Sequence, residues 1–149
     1  MTAENAPQQR RKTPVHLWIV GAVALLWNAV GAVDYIATQL RLEGYMSQFS
    51  QAQLEYFYSF PAWAVAAWAT AVWFALFGSV ALLLRRRLAC LLFTISLAAM
   101  LVSTLYSFVL SDGAAMMGSG GVVFSGLIFV IAVLLVWYST AMTTRGVLR

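Results

Sequence analysis

Four apolar runs, at about Val15–Ala37, Pro61–Leu84, Leu88–Leu110 and Val122–Ala141, decide what this chain can fold into. Each reaches the roughly 20 residues that an α-helix needs to cross the hydrocarbon core of a bilayer. No water is present there to satisfy backbone N–H and C=O groups, so each run has to be a helix. Composition agrees: 62% of the 149 residues are hydrophobic and 9% are charged, where soluble domains carry about 25% charged residues. The expected fold is all-α, an antiparallel four-helix transmembrane bundle over residues 15–141. A polar, disordered cytoplasmic tail is expected at 1–14, with Pro7 and Pro14 in it, and a second cytoplasmic tail at 142–149.

Charge sets the orientation. Arg10, Arg11 and Lys12 precede the first run, Arg85–Arg87 join the second to the third, and Arg145 and Arg149 follow the fourth. Of nine basic residues only Arg41 falls on the other side. The positive-inside rule then puts both termini in the cytoplasm and the loops Leu40–Phe60 and Ser111–Gly121 outside. Asp34, Glu43, Glu55 and Asp112 all lie in or beside the outer half. The first run exceeds the about 7–15 residues of a signal-peptide core, so an uncleaved helix is expected. The loop Asp112–Gly121 holds four glycines and reads as mobile.

Several chemistries are absent from the sequence. One cysteine, Cys90, and one histidine, His16, allow neither an intrachain disulfide nor a Cys/His metal cluster. Cys90 reads as a small packing residue and His16 as a polar residue at headgroup depth. Met46, Met116 and Met117 lack the repeated spacing of a copper(I) site, so neither a metal nor a cofactor is expected. The basic residues cluster between apolar runs and form no stripe on a solvated helix, which argues against nucleic acid as a partner. No nucleophile–base pair, paired carboxylates or phosphate loop can be named, so the chain is not expected to be an enzyme.

Small and polar residues at helical spacing mark helix contacts in lipid. Gly21, Ala24, Asn28, Gly31 and Tyr35 form such a stripe in the first run; Ala67, Ala71, Ala75 and Ser79 in the second; Ser96, Ala99, Ser103 and Tyr106 in the third. Asn28 reads either as a bridge between helices or as the polar floor of a solute site. Asp34 is the only formal charge inside a run. An intramembrane carboxylate is by default a functional hypothesis, although here an ion pair with Arg41, or hydrogen bonds from Tyr106 or Ser107, would also anchor it. Asn28, Asp34, Tyr35, Ser103 and Tyr106 are the candidate intramembrane polar site.

The first outer loop contains FSQAQLEYFYSFPAW, Phe49–Trp63. Ser50 and Gln53 make a capping box, with Phe49 and Leu54 placed as its hydrophobic staple. A short interfacial helix should start at about Gln51, with Leu54, Phe57 and Phe60 on its apolar face, and Pro61 should open the next span with Ser59 near its cap. The plain reading of Tyr56, Tyr58 and Trp63 is an aromatic belt at headgroup depth. The functional reading makes Tyr56, Phe57, Phe60 and Trp63 a lid, with Asp34, Gln39 and Tyr106 beneath it.

The run Trp27-Asn28-x-x-Gly31-x-x-Asp34-Tyr35, followed by Phe49-Ser50-x-x-Gln53-Leu54-x-Tyr56-Phe57-x-Ser59-Phe60-Pro61-x-Trp63, resembles an uncharacterised family of small bacterial four-span inner-membrane proteins. The resemblance continues through Gly78-Ser79 and the arginine turn to Thr104-Leu105-Tyr106. Some members carry the automatic label "sugar transporter". What it implies is a bacterial inner-membrane location. Two functions are carried forward. One is a non-enzymatic component that works through helix contacts in the bilayer, as a homo-oligomer or with another membrane protein. The other is a small-solute transporter, of a sugar in the family's label, acting as an oligomer.

Overall fold

The computed structural model describes residues 13–149; residues 1–12 of the tail expected at 1–14 lie outside them. The chain is all-α. Helix α1 (Val15–Gln39) is followed by two short helices, α2 (Glu43–Met46) and α3 (Gln51–Tyr58). Then come α4 (Ala62–Leu83), α5 (Leu88–Leu105), a π-helical turn (Tyr106–Leu110) that continues α5, and α6 (Gly113–Thr144). Four of these stretches, Val15–Gln39, Ala62–Leu83, Leu88–Leu110 and Gly113–Thr144, are long and apolar enough to cross a membrane. The protein is a multi-pass membrane protein built as a four-helix bundle.

Three of the four spans start close to where the apolar runs begin. The fourth does not. The stretch α6 begins at Gly113, inside the segment read as a mobile loop, with a short helical piece at 113–117 that a break at Gly118 separates from the long helix following it. Its glycines stay helical except at Gly118, whose φ of 65° and ψ of −178° break the helix in a region essentially closed to other residues.

Helix ends are closed by similar devices. After α1, Arg41 N–H donates to Thr38 O and Leu42 N–H to Ala37 O; after α4, Arg85 and Arg86 repeat the pattern on Leu82 and Ala81; after α6, Gly146 and Val147 do so on Thr143 and Met142. These are Schellman motifs, which put one residue in the left-handed region. Gly146 takes that place readily at φ 71°, but Arg41 (φ 52°) and Arg85 (φ 56°) are unusual there. Both side chains have a use that offsets the strain: Arg41 lies over the Tyr58 ring at 4.0 Å, and Arg85 donates to Thr13 Oγ1.

The residues after α6 are docked rather than loose. Arg149 N–H donates to Arg85 O at 2.8 Å, Arg87 N–H donates to Arg149 O at 3.0 Å, and Leu148 is fully buried. Leu148 joins Leu17, Leu82, Phe93, Leu135 and Met142 in a core at this arginine end of the bundle. Helix α4 packs closely on α5 and α1, and α6 leans on α5. Two glycines set those approaches. A Cβ at Gly21 would meet Leu83 Cδ2 at 2.5 Å, and one at Gly78 would meet the Phe93 ring at 2.9 Å.

Polar side chains complete the packing. Asn28 Nδ2 donates to Ser79 Oγ at 2.9 Å, tying α1 to α4, and Ser96 Oγ donates to Ala71 O at 2.6 Å, tying α5 to α4. Ser79, Thr70 and Thr94 each bond the carbonyl four residues back, a common use of hydroxyls in apolar helices. At the arginine end His16 Nδ1 lies 2.6 Å from Tyr138 Oη and Cys90 Sγ lies 3.2 Å from Thr140 Oγ1, so both link helices.

A pair of substitutions tests this packing. Gly78→Ala overfills the α4–α5 contact at a buried ring and should cost about 1–3 kcal/mol. Gly31→Ala, with nothing within 4 Å of its Cβ, should be neutral or gain up to about 1 kcal/mol of helix propensity. Thermal unfolding in mild detergent reads both; equal loss of stability would contradict the packing described.

Candidate functional site

Towards the other end of the bundle the helices part around a cavity of about 580 Å³. This is within the range of about 300–1,000 Å³ usual for small-molecule sites. All four long helices wall it, and Asp34 is the sole formal charge among its lining residues. The side between α1 and α6 is the loosest. There the two helices meet through Trp27 and Phe124, with ring centroids 6.2 Å apart.

Of the five polar residues singled out in the spans, three line the cavity: Asn28, Asp34 and Ser103. Asn28 bridges to Ser79 and also borders the space. The other two stand one layer back. Tyr35 packs edge-on against Trp68, a lining residue, at 5.1 Å. Tyr106 packs edge-on against Phe60 at 5.0 Å and Trp63 at 5.2 Å. Each tyrosine therefore supports an aromatic wall without forming it. Gln39, expected beneath the lid, is exposed, and its neighbour Thr38 lines the cavity instead.

Asp34 has a partner that the sequence did not indicate. Tyr45 Oη donates to Asp34 Oδ1. Of the expected partners, Arg41 lies over Tyr58 and Tyr106 packs among the aromatics, and Ser107 makes no described hydrogen bond to Asp34. The cause is the reversal at Arg41, which turns α2 back over the end of α1. Met46 is buried by the same turn. Burial, and then the hydrogen bond to Asp34 and its charge, push the Tyr45 phenol up to about 12.

Helix α3 lies across this end of the bundle, with Phe57 on it and Phe60 after it among the lining residues. The capping box of α3 is present, with Gln53 N–H donating to Ser50 Oγ at 3.3 Å and Ser50 N–H to Gln53 Oε1 at 3.0 Å. Phe49 packs edge-on against Phe57 at 5.4 Å. Two bonds fix α3 over the α5–α6 corner: Gln53 Nε2 donates to Met116 O at 3.2 Å, and Tyr56 Oη lies 3.0 Å from Ser111 Oγ. Ser111 Oγ directs its own proton to the carbonyls of Tyr106 and Ser107, so Tyr56 is the donor. Gly113 belongs to the same corner, where a Cβ would collide with Ser107 O and the Tyr56 hydroxyl.

The four lid candidates thus divide. Phe57 and Phe60 face the cavity, Tyr56 is the latch, and Trp63 turns towards Tyr106 and remains half exposed. Ser59 closes α3 by donating to Tyr56 O at 2.8 Å rather than capping α4, and Pro61 occupies the α4 cap position itself. Phe49 and Tyr45 complete the roof and were not foreseen. Among the described residues, no group of three His, Cys, Asp or Glu side chains could hold a metal ion.

No protein-family model matches the chain, and no curated protein or solved structure is significantly similar to it. The cavity therefore has to be interpreted from its own chemistry.

Titration tests the Tyr45–Asp34 contact. A phenol raised from 10 to about 12 keeps its proton, and the stability it lends is full below pH 10 and lost as pH rises through about 12. Ultraviolet titration of phenolate should therefore show one late component that Tyr45→Phe removes. Asp34→Asn should move it only part-way down, because burial is the larger cause. A difference curve centred at the ordinary tyrosine value would contradict the contact.

Proposed function

We propose that this is a non-enzymatic multi-pass protein of the bacterial inner membrane that binds a small solute in the cavity beneath α3. The observation that carries this reading is a space of ligand size, walled by four helices and holding one carboxylate under an aromatic roof. A bundle acting through helix contacts alone has no need of such a space, and filling it would strengthen its packing. The basic residues gathered at the arginine end support a cytoplasmic placement for both termini, with the roof outside. The motif through Trp27, Asp34, Phe49 and Pro61 supports membership in the small four-span bacterial family it resembles.

The arginine end is closed by Leu17, Leu82, Met142 and Leu148. A solute in the cavity would face the outside, and passage inward would require that core to open. A transport cycle therefore alternates this form with one in which α6 has moved from α1 at the arginine end, separating His16 from Tyr138. A second reading, an accessory subunit or homo-oligomer working through its lipid-facing surface, is favoured by α6, the least buried of the four spans.

A thermal-shift screen of sugars, amines and carboxylates against the purified protein separates these. Gly31→Trp, which places an indole where nothing lies within 4 Å, serves as the cavity-filled control. At least one solute class should stabilise the wild type and not Gly31→Trp. Stabilisation of neither, or of both equally, would defeat the solute-binding reading. A stoichiometric partner retained in mild detergent would then support the second.

A further inference from the structure

The chemistry of the cavity says more about its occupant than its size does. Asp34 brings the one formal charge to the lining, and no lysine, arginine or histidine accompanies it. The nearest basic side chain along the helix, Arg41, is turned away onto the Tyr58 ring. Tyr45 occupies Oδ1, and Oδ2 has no protein partner among the described hydrogen bonds. No buried side-chain oxygen or nitrogen among the described residues lacks a partner, so Oδ2 is not sealed off from the cavity.

The walls around that oxygen are aromatic. Tyr45 packs against Phe49 at 5.7 Å and Phe49 against Phe57, giving a continuous roof beside the carboxylate. Trp27 and Trp68 face the same space from α1 and α4. Aromatic faces carry negative quadrupole potential and attract cations, indole most strongly. Ser96 Oγ is spent on Ala71 O and Asn28 gives one Nδ2 proton to Ser79, while Thr38, Ser103, Thr104 and Ser107 keep hydroxyls with no partner among the described hydrogen bonds. These are neutral dipoles spread along the wall, whereas Asp34 is a full charge, and a neutral solute such as a sugar would leave that carboxylate without a counter-charge.

We infer that the occupant is a monovalent organic cation with a flat or apolar body, its charge against Asp34 and its body among Trp27, Trp68 and the roof aromatics. This rests on the solute-binding reading above and narrows it to one chemical class.

The test uses the full chain in lipid nanodiscs, with phenyltrimethylammonium and its neutral isostere tert-butylbenzene as probes, followed by tryptophan fluorescence. Wild type should bind the cation at least about tenfold more tightly than the isostere. Asp34→Asn, which keeps an oxygen acceptor for Tyr45, should lose at least about tenfold in cation affinity and leave the isostere unchanged. Phe57→Leu should weaken the cation several-fold more than the isostere, a difference that general loosening of the fold would not produce. Equal binding of both probes, or an Asp34→Asn variant with unchanged cation affinity, would overturn the assignment of charge while the cavity stood, provided Gly31→Trp abolished the binding. Binding of neither probe, or binding that Gly31→Trp does not affect, would overturn the site itself.

Discussion

Helices already in lipid gain little by burying more apolar surface, so the bundle depends on how closely its backbones can approach. Gly21 admits the end of Leu83, and Gly78 admits the Phe93 ring. Those two contacts draw α1, α4 and α5 together and allow the arginine end to fill with Leu17, Leu82 and Leu148. Farther along, Trp27, Trp68 and Phe108 of these helices and Phe124 of α6 line the space between them. Large rings cannot be approached so closely, and the helices part. A solid end and a hollow end thus accompany a gradient in side-chain size, with rings holding the helices apart and Ala71, Ala75 and Gly121 leaving the space between them unfilled.

The loop between α1 and α4 closes what that gradient leaves open. Two short helices form there because Arg41 accepts a left-handed backbone and Ser50 caps α3. They bring Tyr45 onto Asp34 and Phe57 and Phe60 over the cavity. The latch at Tyr56 joins this roof to the one place where α5 abandons α-helical geometry, the π-helical turn Tyr106–Leu110. π-Turns inside helices recur at functional sites, and here the turn presents Ser107 and Phe108 to the cavity.

Much of this was legible in the sequence. The spans followed from run length, the capping box from Ser50 and Gln53, and the contact faces from the spacing of Gly21, Asn28 and Ser79. Asp34 stood out as the one charge in a span. Tyr45 did not, because it is eleven residues away and meets Asp34 only through a reversal at Arg41. Glycine would have signalled that reversal; arginine does not. The start of α6 was hidden as well, because four glycines between Asp112 and Gly121 signal a loop, whereas among them only Gly118 breaks the helix. Tyr35 and Tyr106 shared the periodicity of the lining residues yet stand behind Trp68 and Phe60, because spacing gives a face and not a depth.

The central claim is that one half of the bundle is open to a solute and the other is not, and thiol accessibility tests it most directly. With Cys90 replaced by serine, Ser103→Cys places a thiol in the cavity wall and Ser139→Cys places one at a fully buried position. A small cationic methanethiosulfonate reagent should modify the first rapidly and leave the second unmodified in the folded protein. Equal rates at the two positions would contradict the account.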